Sequence, residues 1–177
     1  MTLILTFLLF INSHLISTVE GKVISIADGY TITILTEDNQ QIKIRLHGID
    51  CPEKKQPFGM AAKQFTSNLV FGKTIKVKIT DIDRYGRSVG IVYFNDSEIL
   101  NEKILAAGLA WHYTKYDQNP AWDELEKTTR NKKAGLWIDP NAVAPWCKLP
   151  HFLGHSKVEF QFINSSNKSI GVLKFKD

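Results

Sequence analysis

The 177-residue sequence predicts an α+β, mainly β fold: a five-stranded β-barrel carrying three helices, followed by a short β-rich tail. Three observations predict it. Five short segments alternate apolar and polar residues with the two-residue period of a half-buried strand. Three longer segments repeat apolar residues at helical spacing and are bounded by glycine or proline. The strand segments follow one another through short turn signals, as in a meander that curls on itself. Composition agrees with an ordinary globular core, at 44% apolar, 11% aromatic and 23% charged residues. It excludes wholesale disorder, collagen and coiled coil. Two cysteines cannot staple a disulfide-dense scaffold, so burial must hold the fold together.

Residues 1–17 contain no Lys, Arg, Asp or Glu, and residues 3–11 are apolar except at Thr6. That run has the length of a signal-peptide core and is short for a bilayer span. Small residues at Ser17 and Thr18 offer a cleavage site, with a second candidate cut after Gly21. The expectation is export, to the medium or to the cell envelope or periplasm. A buried N-terminal strand and an uncleaved anchor are the alternatives.

Residues 23–26 form the first strand, Asp28-Gly29 a turn, and residues 31–35 the second strand. Glu37-Asp38-Asn39 turns the chain again into residues 41–47, where Ile42, Ile44 and Leu46 share one face. Lys43, Arg45 and His47 therefore point to the other. Pro57 opens and Gly72 closes a helix with apolar residues at Ala61, Ala62, Phe65, Leu69 and Val70. Strands follow at 74–79 and 88–94, then a helix at 100–107 stopped by Gly108. A last helix, 121–134, is opened by Asn119-Pro120 and closed by Gly135. Five strands with a helix between the third and fourth is the order of an oligonucleotide-binding barrel. The domain is expected to span 18–140. Beyond it, 141–177 reads as a linker and a hairpin of residues 158–163 and 170–175 around Asn164-Ser165-Ser166-Asn167.

Lys and Arg total 22 against 18 Asp and Glu, a net charge of +4 that mildly favours an anionic partner. Three loops concentrate residues suited to phosphate chemistry: Asp28-Gly29-Tyr30-Thr31, Arg45 with Asp50-Cys51-Pro52-Glu53, and Asp83-Arg84-Tyr85-Gly86-Arg87. Carboxylates at a barrel mouth can hold a hard cation, and arginines can clamp a phosphodiester. A carboxylate near water can act as general base. Taken singly, each loop also reads as an ordinary polar turn.

Together they carry a resemblance. Arg45-Leu46-His47-Gly48-Ile49-Asp50-Cys51-Pro52-Glu53 resembles the R-L-x-x-x-D-x-P-E signature of the staphylococcal nuclease (thermonuclease) family. Asp83-Arg84-Tyr85-Gly86-Arg87 is similar to its D-[KR]-Y-G-R motif. Asn101-Glu102 through Gly108-Leu109-Ala110 resembles N-E-x-L-x-x-G-L-A, and Gly135-Leu136-Trp137 its closing G-[LI]-W. The resemblance covers about residues 22–138, with the four motifs in order. The resemblance implies a five-stranded oligonucleotide-binding barrel with three helices and Ca²⁺-dependent cleavage of DNA and RNA. The expected partner is DNA or RNA, single strands favoured, and the expected state a monomer. It implies that Arg45 and Arg87 bind phosphate, that Glu53 activates water, and that Asp50 and the Cys51 carbonyl bind the metal. Arg84 and Tyr85 fall where the family contacts substrate phosphate.

One position departs from the pattern. The family's first turn reads D-G-D-T, its second Asp binding the metal, and here Tyr30 stands in that place. A phenol, protonated at neutral pH, is a poor Ca²⁺ ligand. Asp28 is then the remaining anionic partner for Asp50. Two readings follow: a working nuclease with a rebuilt or weakened metal site, or a nuclease-like barrel that binds single-stranded nucleic acid without cutting it. A third gives the working role to the tail hairpin, with the barrel as carrier.

Trp111-His112-Tyr113-Thr114-Lys115-Tyr116 reads either as a base-stacking rim or as a strand packing alternate side chains inward, with Lys115 and Tyr116 the rim candidates. Cys147, His151 and His155 are evenly spaced, but Pro150 and Gly154 spoil a helix and a fourth ligand is missing, so no structural metal is expected there. A Cys51–Cys147 disulfide is not expected either, since Cys51 falls at the site. Asn95-Asp96-Ser97, Asn164-Ser165-Ser166 and Asn167-Lys168-Ser169 match glycosylation acceptors.

Overall fold

The computed structural model describes residues 17–147 and, as backbone, two strands of the tail. The apolar leader, His151, His155 and the glycosylation triplets at Asn164 and Asn167 lie outside the described residues. In the first unit, β1 (Thr18–Ile26) pairs with β2 (Thr31–Leu35), and β2 with β3 (Gln41–Leu46). Ile32 faces Ile44 and Ile34 faces Ile42, so the period-two pattern sets the register. After β4 (Ile49–Asp50) and α1 (Gly59–Val70) come β5 (Thr74–Ile82) and β6 (Ser88–Phe94), which pair with each other. β1 also pairs with β5. Finally β3 and β6 run parallel, Ile44 opposite Ser88 and Leu46 opposite Gly90, and the five strands close into a barrel.

Closure turns one face of every strand inward. Ile32, Ile34, Ile44, Leu46, Val77 and Val92 are fully buried there. α1 lays Ala62, Thr66 and Val70 against the barrel. Next come β7 (Glu98–Ile99), α2 (Leu100–Ala106), β8 (Trp111–His112) and α3 (Pro120–Asn131). α2 is anchored by Asn101, fully buried, whose Oδ1 accepts the Val92 N–H at 3.1 Å while its Nδ2 donates to the His47 carbonyl at 2.8 Å. Its neighbour Glu102 accepts from the indole N–H of buried Trp122 at 2.9 Å, tying α2 to α3. The Asn-Glu pair is thus a stitch between helices and barrel.

Gly48 follows β3 with φ of 67°, and a Cβ there would stand 2.7 Å from Asp117 Cβ and 2.8 Å from the Trp122 ring. Its lack of a side chain lets the loop after β8 lie against the end of β3. The second unit holds a separate antiparallel hairpin of β9 (Glu159–Ile163) and β10 (Ser169–Lys174). Among the described residues no helix is long and apolar enough to cross a membrane.

Candidate active site

A cleft of ≈ 890 Å³ opens at one end of the barrel, and all three polar loops reach it. The β1–β2 turn is built by Asp28, whose Oδ1 accepts the Tyr30 N–H at 3.0 Å. Gly29 is required beside it, because a Cβ would lie 2.6 Å from Ala62 Cβ and 3.0 Å from Cys51 Sγ. The Gly29 carbonyl accepts from the buried Thr66 hydroxyl at 2.7 Å, which fastens the turn to α1. Tyr30 is buried, and the Arg45 guanidinium lies 4.8 Å above its ring. Arg45 donates to Asp50 Oδ1 at 3.3 Å. β4 holds Asp50 in place by pairing it with Trp111 of β8.

Glu53 sits on the exposed loop before α1, its N–H donating to Gln56 Oε1 at 2.7 Å. On the opposite wall Asp83 organises the β5–β6 turn. Its Oδ1 accepts the N–H groups of Tyr85 and Arg87, both at 2.9 Å, and its Oδ2 accepts Arg87 Nε at 2.6 Å. Arg84 donates to the Tyr85 hydroxyl at 2.7 Å and stacks over that ring. Tyr85 and Tyr116 are the exposed aromatics of the rim, and Tyr116 meets Tyr113 edge-on at 4.8 Å.

Asp28, Arg45, Asp50, Glu53, Arg84, Tyr85, Arg87 and Tyr116 therefore line one cleft, as do His47, Asp81 and Tyr113. Two expected residues do not. Lys115 is not among the lining residues, and its Nζ lies 5.6 Å from the centre of the Tyr116 ring. The Cys51 side chain is wholly buried, which leaves only its backbone for a ligand. It is a free thiol. Trp111 packs edge-on against Trp137 at 5.9 Å and belongs to the core, not to a stacking rim.

Residues 43–139 match the family described as staphylococcal nuclease homologue. The chain belongs to the staphylococcal nuclease family. It is 39% identical over 128 residues to an uncharacterized endonuclease of Escherichia coli O157:H7, covering 72% of this chain and 83% of that protein. It is 38% identical over 136 residues to a micrococcal nuclease of Shigella flexneri, covering 71% and 78%. An uncharacterized 38.1 kDa protein of Capnoides sempervirens is 47% identical over 107 residues, 60% of this chain but 31% of that one. The chain thus spans most of the two bacterial nucleases and about a third of the plant protein. The family is one of nucleases, whose substrates are nucleic acids.

The electrostatics of this nuclease-family site are acidic at its floor. Burial pushes the Asp50 carboxyl up to about 6; Arg45 and a hydrogen bond from Tyr30 pull it down, while Glu53 and Asp28 add to the rise. Burial, with Asp50, Asp28 and Glu53, likewise drives the Tyr30 hydroxyl above its ordinary range, so it stays protonated. Cys51 is pushed well up by burial, then by Asp50 and Asp28. Asp28 and Asp50 bring hard oxygen donors of the kind a divalent cation such as Ca²⁺ takes, with Arg45 already paired to Asp50. The fit rests on two carboxylates, Asp28 and Asp50. Among the described residues no three His, Cys, Asp or Glu side chains form a metal-binding group.

Asp50 therefore has a folded pKa above its unfolded value, and the folded state holds that proton more tightly. In EDTA, stability is expected to rise as pH falls from 7 towards 4, by about 2 kcal/mol from this group. Thermal melts of the parent and Asp50→Asn over pH 4–7 check it. A stability difference between the two that does not change with pH would show that Asp50 titrates normally.

Proposed function

We propose that the protein is an endonuclease that hydrolyses phosphodiester bonds of single-stranded DNA or RNA by attack of water, as a monomer. The observation that carries this reading is the convergence of Arg45, Arg87, Asp50 and Glu53 on one cleft in a family of nucleases. Asp50, Asp28 and the Cys51 carbonyl would hold Ca²⁺, which when bound supplies Lewis-acid polarisation of a phosphate oxygen. Arg87, its guanidinium fixed by Asp83, binds the scissile phosphate with Arg45 and stabilises the charge that builds on its oxygens. Glu53 takes a proton from the attacking water. Exposed Tyr85 and Tyr116 offer π-faces to unpaired bases, which favours single strands.

A site with two anionic ligands belongs to the weak end of calcium binding, about 10⁻⁴–10⁻³ M. Cleavage of single-stranded DNA and RNA by residues 18–177 is therefore expected to reach half-maximum in that range and to vanish in EDTA. Binding without cutting at any Ca²⁺ concentration would replace the enzyme by a binding module.

We also propose export through the apolar leader, with cleavage after Ser17. A cut there leaves β1 whole. A cut after Gly21 would remove Thr18, Val19, Glu20 and Gly21, four of the five β1 residues paired with β5. The intact mass of exported protein is expected to correspond to a chain starting at Thr18; one starting at Lys22 would overturn the assignment.

A further inference from the structure

Tyr30 belongs to the core on one side and to Arg45 on the other. Its ring lines the cleft yet is only 9% exposed, with the Arg45 guanidinium standing 4.8 Å from the ring centre. Arg45 has two further holds. Its Nη1 donates to the Leu46 carbonyl at 3.2 Å and its Nη2 to Asp50 Oδ1 at 3.3 Å. Both are long beside the 2.6 Å bond that Arg87 gives Asp83. These bonds use two of the five N–H donors of a guanidinium, which leaves three for an incoming phosphate. Nor does Asp50 serve Arg45 alone, because the proposed function also gives it a cation. The ring of Tyr30 has no such second use.

An unsupported arginine here has several anions to choose from, since Asp28, Asp50 and Glu53 all line the same cleft. A long side chain drawn between three carboxylates loses the single orientation that a bidentate phosphate contact needs. An aromatic face attracts a guanidinium through its quadrupole and orients the planar group without using up its donors. The Arg45 side chain is 17% exposed, so water screens that attraction little. The ring itself is well anchored. The Tyr30 N–H donates to Asp28 Oδ1, and its carbonyl accepts the N–H of Leu46, the residue after Arg45, at 2.8 Å. Thr31 then stands opposite Arg45 across β2 and β3, which fixes the register of ring and arginine. An aspartate at position 30, as in the D-G-D-T pattern, brings a fourth carboxylate and no face.

We propose that Tyr30 is a positioning residue for substrate: its ring holds the Arg45 guanidinium so that the unspent donors meet a phosphate of the bound strand. The inference rests on reading the cleft as a nucleic-acid site, and is independent of whether the chain cuts. It gives position 30 a purpose of its own, since a side chain unsuited to a metal is suited to the arginine beside it. The ring and not the hydroxyl carries this role. Phenylalanine therefore serves as well as tyrosine, and an aliphatic side chain does not.

The test measures binding of a fluorescent single-stranded decanucleotide to the full mature chain across salt concentration, in EDTA to separate binding from cleavage. Tyr30→Phe keeps the ring and is expected to bind within about twofold of the parent. Tyr30→Leu removes it, and affinity is expected to fall about tenfold. The salt slope should drop by up to about 0.7, the share of one phosphate contact. Arg45→Ala is expected to lose the same slope, and adding Tyr30→Leu to it should weaken binding no further. Phenylalanines with increasing ring fluorination at position 30 keep the shape of the side chain and weaken only its face. Affinity is expected to fall with each added fluorine, and this series decides the matter alone if Tyr30→Leu does not fold. Parent-like binding by Tyr30→Leu, or a flat response to fluorine, overturns the inference. A loss in Tyr30→Leu that adds in full to that of Arg45→Ala also overturns it, and leaves the ring a packing role. A parent that binds no decanucleotide overturns the nucleic-acid reading of the cleft and this inference with it.

Discussion

Replacing Arg87 by alanine is expected to lower kcat by about 10²–10³-fold on single-stranded DNA while leaving the fold intact. The charge that develops on the phosphate oxygens needs a fixed cation facing it, and Arg87 is fixed in the cleft by Asp83. Asp83 fixes it through both oxygens. Partial burial works against the Asp83 anion, yet the Arg87 backbone and side chain and the Tyr85 N–H hold its carboxyl below the usual range. After the substitution Asp83 retains both backbone donors, so the turn survives and the thermal midpoint should hardly move. Arg87→Lys keeps the charge but loses the planar fork, and only partial recovery of kcat is expected. Single-turnover rates at saturating Ca²⁺ measure the effect directly. A variant that turns over like the parent would remove Arg87 from the chemistry.

Tyr30→Asp is expected to change two quantities in opposite directions. The ring it removes is buried beneath Arg45, so the metal-free variant should lose about 3 kcal/mol through lost packing. A third carboxylate also joins Asp28 and Asp50, and like charges in a desolvated floor repel. The same oxygen supplies a third anionic donor to a cation. The Ca²⁺ concentration for half-maximal activity is therefore expected to fall by about tenfold or more. Excess Ca²⁺ should then restore the melting temperature, since a ligand at 1,000 times its Kd contributes about 4 kcal/mol. Melts in EDTA and in Ca²⁺, with activity titrations, separate the two effects. A variant with the parent's Ca²⁺ requirement would show that position 30 does not face the metal.

The barrel was legible wherever burial imposed a period. Ile42, Ile44 and Leu46 had to alternate because one face of β3 fills the interior. The two-residue strands β4, β7 and β8 left no such trace, being a single repeat of the pattern long. The start of β1 was hidden too, since Glu20 and Gly21 interrupt the alternation and backbone pairing with β5 extends the strand. In the cleft, Arg45, Asp50, Glu53 and Arg87 were legible through motifs. His47 was visible only as the neighbour of Arg45 on one strand face. Its partners Thr80 and Asp117 are remote in the chain and meet it only through the barrel's closure, which no local pattern encodes. Lys115 was legible only as a basic residue in an aromatic loop, and its place over the Tyr116 ring is a contact that the sequence pattern does not encode.

That closure also governs timing. Arg45 lies on β3 opposite Val89, and Arg87 immediately precedes β6, so the two arginines become neighbours only when the first and second halves of the sheet join. This pairing spans more sequence than any hairpin in the barrel, and long-range pairings are slow to form. Until β3 and β6 pair, the chain holds both arginines and still has no cleft in which they face each other.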